Sequence, residues 1–135
     1  MRVCILGDGL SALTLAKALI NQNIFVDMFA KKKAYNINQT RTLGISKYNL
    51  DFFNKNIINV EKLIWKIKRI EIFTDNLKDE KLLNFKNDNS QLFSIIRNNE
   101  LYKILENNLF KNKYFKKIIT IKENLSLIKD YELII

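Results

Sequence analysis

At 135 residues the chain amounts to a single domain, and 47% apolar content is ample for a core. Its net charge of +9 comes from lysines spread along the whole length; no basic stretch carries interleaved aromatics that would stack on bases, so no nucleic-acid partner is expected. Histidine is absent, which excludes Ser-His and Cys-His catalysis and the commonest metal ligand; no metal site is expected. Cys4 is the only cysteine, so no internal disulfide can form and a reducing cytoplasm fits best. No apolar run approaches the ~18 residues of a membrane span, and the amino-terminal run is broken by Gly7-Asp8-Gly9, unlike a signal peptide.

The predicted elements begin with a short apolar strand over Arg2–Leu6, in which Cys4 reads as a small core residue. Leu10, Leu13, Leu15, Ala16, Ala18, Leu19 and Ile20 then fit a helix packed closely on a sheet, ended by Asn21, Gln22 and Asn23. Residues 24–29 form a second strand, β-branched and aromatic. A polar loop over 31–40 leads to Arg41-Thr42-Leu43-Gly44-Ile45-Ser46, with Ser46 as N-cap of a helix presenting Tyr48, Leu50, Phe52 and Phe53. Residues 67–74 alternate as a strand, 75–80 turn, and 81–85 return as the second arm of a hairpin. A strand over 92–96, a helix over Asn98–Phe110 carrying Leu101, Ile104, Leu105 and Leu109, and short strands over 117–121 and 131–135 complete the order. Strands alternating with helices predict an α/β fold with a parallel sheet, interrupted by an antiparallel β excursion over 67–97.

The chemistry-bearing motif is Gly7-Asp8-Gly9-Leu10-Ser11-Ala12, which fits G-x-G-x-x-A between a strand and a helix, with a second strand following on schedule. The chain has three glycines, and two of them occupy the two motif positions. Gly7 permits the tight turn, Gly9 lets backbone approach a pyrophosphate, and Ala12 lets the helix sit close on the strands. Free N–H groups around Leu10 and Ser11 would face the anion with the positive end of the helix dipole. The second strand, however, runs through Asp27 and Phe29 into Ala30 and Lys31-Lys32-Lys33, without the terminal acid that would bind an adenosine ribose. Three readings stay open at this point: a ribose held through backbone and water, lysines holding the 2′-phosphate of NADP, or a solvated lysine loop.

The segments that follow carry a resemblance. Arg41-Thr42-Leu43-Gly44-Ile45-Ser46 resembles the Arg-x-x-x-[Leu/Ile]-Ser stretch of the flavin-dependent aromatic hydroxylases, and the nearest branch looks like the ubiquinone-biosynthesis hydroxylases. The aromatic helix from Tyr48, the Leu63-Ile64-Trp65 linker, the strand at 67–74, and Phe93-Ser94-Ile95-Ile96-Arg97-Asn98 before a Leu101-to-Leu105 helix are similar to the family's succession of elements.

The resemblance implies a Rossmann-like FAD-binding domain over 1–135, with 67–97 reaching toward a mostly absent substrate domain. It implies FAD as cofactor, NAD(P)H as reductant and a small aromatic substrate resembling a ubiquinone precursor. Arg41 would lie against the ribityl–pyrophosphate region and Arg97 near the same cofactor, joining Gly7, Gly9, Leu10, Ser11 and Ala12 as cofactor-binding residues; no residue is assigned to catalysis. Ala30 departs from the family's ribose-binding acid, and the family's later Asp-Gly and Gly-Asp motifs fall beyond residue 135, so the chain corresponds to the first third of a hydroxylase, as a truncation or fragment. Peripheral membrane association and self-association through an incomplete edge are the further expectations. Two competing readings remain: a non-catalytic dinucleotide-binding remnant and an NADP-dependent reductase.

Overall fold

The computed structural model describes residues 1–31, 41–74, 81–86, 91–120 and 131–135. Strand β1 (Arg2–Leu6) buries its three central residues, as a strand covered on both faces must. Helix α1 (Leu10–Asn21) buries Leu13, Ala16 and Ile20 at helical spacing. It stops where Asn23 takes φ of 59°, a left-handed conformation that asparagine tolerates and that turns the chain into the next strand. The Asn21 amide fastens this end of α1 by donating to the carbonyls of Asn56 and Ile57, each at 2.9 Å.

Strand β2 (Phe25–Lys31) runs two residues beyond the predicted end at Phe29, so Ala30 lies inside it and is buried. The segment after Arg41, expected only to lead into a helix, is itself a strand, β3 (Thr42–Ser46). Helix α2 (Lys47–Asn56) starts at the predicted cap: the Ser46 hydroxyl accepts the Asn49 N–H at 3.2 Å, and Leu50 anchors the helix in the core. A 3₁₀ turn (Glu61–Leu63) leads to β4 (Ile64–Ile67) and β5 (Arg69–Phe73). The single strand predicted over 67–74 is therefore two, broken at Lys68, where the chain passes from one sheet to another. Then come β6 (Lys81–Lys86), β7 (Phe93–Arg97), helix α3 (Asn98–Phe110), β8 (Phe115–Thr120) and β9 (Leu133–Ile134). The predicted turn at 75–80 and the predicted loop from residue 32 to 40 lie outside the described residues; Lys31, predicted to open that loop, is instead the last residue of β2.

The parallel sheet has the order β8-β2-β1-β9. Numbered by their own succession these strands read 3-2-1-4, the order of a doubly wound dinucleotide-binding half. An antiparallel sheet β3-β7-β4 and a hairpin β5-β6 are interposed between β2 and β8. One core joins the parallel sheet, the helices and the antiparallel sheet: Val3, Ile5, Val26 and Met28 meet Leu13, Ala16 and Ile20 of α1, Leu101, Leu105 and Leu109 of α3, Leu50 of α2 and Ile96 of β7. The fold is mixed α/β with alternating strands and helices, as the sequence predicts, and the central turn of its parallel sheet is the glycine motif.

Candidate functional site

The glycine turn leaves the carboxyl end of β1, where open α/β sheets bind their ligands. Gly7 takes φ of +113°, a region closed to side-chain-bearing residues, and donates its N–H to the Phe29 carbonyl at 2.8 Å. A Cβ added there would meet nothing within 4 Å, so the demand for glycine is conformational rather than steric. Gly9 is different. It caps α1 with φ −71° and ψ 174°, values any residue can adopt. Its conformation does not call for glycine, and close approach of a ligand supplies a reason for one.

The first intrahelical bond runs from Leu13 N–H to the Gly9 carbonyl at 2.9 Å. The N–H groups of Leu10, Ser11 and Ala12 precede it and have no partner within the helix. Among the described residues no side chain caps them, and no acidic residue occupies the first turn of α1. Ser11 is exposed, while Leu10 and Ala12 pack against the core and seat the helix end on the sheet. A row of unspent donors at the positive end of a helix is suited to an anion.

The turn also contains a group that motif matching passes over. Asp8, between the two glycines, meets the Lys117 ammonium from β8 at 3.0 Å, and Glu106 of α3 meets the same ammonium at 3.1 Å. The Lys117 side chain is 13% exposed, against 19% for Asp8 and 27% for Glu106. Burial alone would pull the lysine down, but its hydrogen bonds to Asp8 and Glu106 outweigh this and hold it above the ordinary lysine value. Tyr102 joins through its hydroxyl, 3.5 Å from Glu106, and is pushed up by burial and by the Glu106 charge. The sequence alone does not single this lysine out; the strand register does. Phe115, Lys117 and Ile119 share one face of β8 with Val26 and Met28 of β2, which puts a lysine in an apolar row.

The two arginines lie together at one end of the antiparallel sheet. The Arg41 carbonyl accepts the Asn98 N–H at 3.0 Å, and Thr42 pairs with Arg97. Arg41 is exposed; Arg97 lays its guanidinium over the Trp65 ring at 5.0 Å and comes within 3.7 Å of Glu100. No hydrogen bond or ion pair joins these arginines to the glycine turn among the described residues.

At the ribose end, Ala30 offers no acceptor, and Asp27 does not replace the missing acid. Its carboxylate is buried on the other face of the sheet, accepting the Tyr131 hydroxyl at 2.6 Å, with the Arg2 guanidinium at 3.9 Å. Burial, the hydrogen bond to Asp27 and its charge push the Tyr131 hydroxyl up to about 12. Burial, with Asp27 beside it, pushes the Cys4 thiol up as well, in keeping with an inert core residue. The donor set thus fits the pyrophosphate of a dinucleotide and lacks the carboxylate for its ribose. Among the described residues there is no acidic, cysteine or histidine cluster that could hold a metal ion, and no helix long and apolar enough to cross a membrane.

The sheet order and the glycine turn define a Rossmann-like α/β fold. No family model matches the chain, and no curated protein does. Solved structures do. The chain is similar to p-nitrophenol 4-monooxygenase PnpA from Pseudomonas putida, with a TM-score of 0.69 and 11% identity over 87% of this chain and 31% of that one. A variant of HpxO from Klebsiella pneumoniae complexed with FAD matches with a TM-score of 0.63 and 14% identity over 87% of this chain and 31% of its own. The flavin-dependent monooxygenase PieE, in complex with FAD and substrate, matches with a TM-score of 0.66 and 12% identity over 88% of this chain and 24% of its own. The chain spans under a third of the length of each of these three structures.

Proposed function

We propose that the chain is the FAD-binding part of a flavin-dependent monooxygenase acting on a small aromatic compound, with NAD(P)H as reductant. The observation that carries this is the turn from β1 into α1. A glycine held at φ +113° and an uncapped helix N-terminus stand at the carboxyl end of an inner strand in a 3-2-1-4 parallel sheet. The structural likeness to PieE, described as a flavin-dependent monooxygenase, and to HpxO complexed with FAD supports FAD over other dinucleotides.

In this reading Gly7 shapes the turn and Gly9 leaves room for the pyrophosphate. Leu10, Ser11 and Ala12 present backbone N–H groups to it. Arg41 and Arg97 add positive charge along the ribityl side. The flavin, when bound, supplies the redox and oxygen chemistry; the chain supplies position. A substrate resembling a ubiquinone precursor is the finer proposal, and it rests on the resemblance of the segments at Arg41 and Arg97. Ala30 favours a second reading, in which the domain holds a dinucleotide weakly and catalyses nothing.

The test is the visible spectrum of the purified chain after incubation with FAD and passage through a desalting column. Retained flavin bands support the proposal. No retained flavin but saturable NADPH binding would transfer the site to a reductase, and binding of neither would leave a remnant.

A further inference from the structure

Asp8 presents a difficulty for any anion at the glycine turn. It places a carboxylate between the two glycines that shape the site, at a position where the ligand brings negative charge of its own. Unopposed, that carboxylate would repel a pyrophosphate and offset part of what the helix terminus contributes.

Lys117 opposes it. Its ammonium arrives from the third strand of the parallel sheet, in a face otherwise occupied by Phe115 and Ile119, and meets Asp8 at 3.0 Å with 13% of its side chain exposed. An aliphatic residue would suit that row as packing; a lysine there carries a desolvation cost that only its charged partners offset. Glu106 at 3.1 Å, the Tyr102 hydroxyl that bonds Glu106, and the Phe110 ring, its centroid 5.9 Å away, are its other neighbours. With Asp8, Glu106 and Lys117 all charged the cluster carries one net negative charge; without the lysine it would carry two.

We infer that Lys117 is a positioning residue of the dinucleotide site, holding and neutralising Asp8 so that the turn can accept an anionic phosphate. The inference rests on the dinucleotide reading above and adds to it a residue from β8, more than a hundred positions from the glycines.

The experiment measures binding of FAD, with ADP as a second probe, to the whole chain by equilibrium dialysis at low and high salt. Thermal melts of each variant are recorded alongside. Lys117→Met is expected to weaken binding of both probes about tenfold, the order expected of one unit charge acting over roughly 10 Å at an intermediate effective dielectric. The loss should shrink at high salt. Adding Asp8→Asn to Lys117→Met should restore affinity to near that of the unmodified chain, which a packing role for the lysine would not allow. Asp8→Asn alone keeps Lys117 paired with Glu106 and should tighten binding severalfold, so the inference stays testable even if Lys117→Met does not fold.

Binding by the unmodified chain with no change in Lys117→Met, no recovery in the double variant, or no tightening in Asp8→Asn overturns the role of Lys117 alone. Failure of the unmodified chain to bind either probe overturns the dinucleotide reading, and this inference with it.

Discussion

Replacing Gly7 and Gly9 separately by alanine tests the proposed division of labour within the turn, because the two glycines are required for different reasons. Gly7 sits at φ +113°, beyond the left-handed basin that asparagine and aspartate visit, and a Cβ there meets no atom within 4 Å. Gly7→Ala therefore adds backbone strain without crowding, on the order of 1–3 kcal/mol, of which about 0.4–1 is returned by the lower entropy of the unfolded chain. A net loss of about 1–2 kcal/mol should lower the melting temperature by roughly 3–10 °C in a domain of this size. The turn can relax only by moving the N–H that bonds the Phe29 carbonyl at 2.8 Å, and with it the start of α1, so FAD affinity should also fall, by about tenfold or more. Gly9 has φ −71° and ψ 174° and is free of that strain. Gly9→Ala should cost only about 0.5–1 kcal/mol of stability, because alanine is a poorer N-cap than glycine, yet weaken FAD binding at least as much as Gly7→Ala, because its Cβ would stand where the pyrophosphate approaches. Denaturant melts and flavin-fluorescence titrations of the two variants separate the effects. An undiminished affinity in a folded Gly9→Ala would refute the placement of the anion at this turn; an unchanged melt in Gly7→Ala would refute the strain argument.

The other predictions concern the opposite face of the parallel sheet and the surface. Tyr131 titrates at about 12 in the folded chain against an ordinary value near 10. Its contribution to stability is therefore complete below pH ~10 and is lost as pH rises from there toward 12; alkaline melts should show that decline, and Tyr131→Phe should remove it. The same variant leaves the buried Asp27 without its 2.6 Å donor and should destabilise the chain by about 1–3 kcal/mol near neutral pH, read by urea unfolding. Cys4 is fully buried and its thiol is pushed up, so a thiol reagent should leave the native chain unlabelled and label it quickly in denaturant. Phe73, Leu82, Leu83 and Phe85 of the β5–β6 hairpin, and Leu133 and Ile134 at the sheet edge, are exposed, so sedimentation velocity should show concentration-dependent self-association and an apolar dye should bind. A clean monomer that binds no dye would contradict this.

Much of the fold is legible where one physical requirement dominates. The strand over Arg2–Leu6 and the helix over Leu10–Asn21 follow from an apolar run, a glycine turn and helical spacing, and Ser46 is recognisable as a cap because its hydroxyl serves a local N–H. Helix α3 falls within its predicted bounds because Leu101, Leu105 and Leu109 recur on one face. The misses arise where tertiary pairing decides. Thr42–Ser46 carries a glycine and little apolar content, yet becomes β3 because it pairs along the whole of β7. Gly44 fits that strand by lying beneath the Phe93 ring, where a Cβ would come within 3.2 Å. The break at Lys68 is invisible to alternation for a related reason: Ile67 pairs with Phe93 and Arg69 with Lys86, partners from different sheets that local pattern cannot name.

The site divides along the same line. Gly7 and Gly9 declare themselves because a tight turn and a close approach leave glycine few substitutes, and the motif compresses both demands into consecutive residues. Charge does not declare itself that way. Asp8 reads in sequence as an arbitrary residue between two glycines, and Lys117 as one of many lysines in a basic chain. Only the register of β8 against β2, and of β2 against β1, brings the second to the first. Asp27 shows the converse. It lies in the strand that should supply a ribose-binding acid, but it is buried on the face that carries Cys4 and Tyr131. A carboxylate committed to a buried hydrogen bond is not available to a ligand at the strand's end. The chain therefore carries an acid where an anion site has least use for one, and none where the ribose would use it. What the turn itself offers a phosphate rests on its backbone donors and on Lys117, the cation that offsets Asp8, which is why the Lys117 and Gly9 variants probe the turn more directly than an acid restored at Ala30 would.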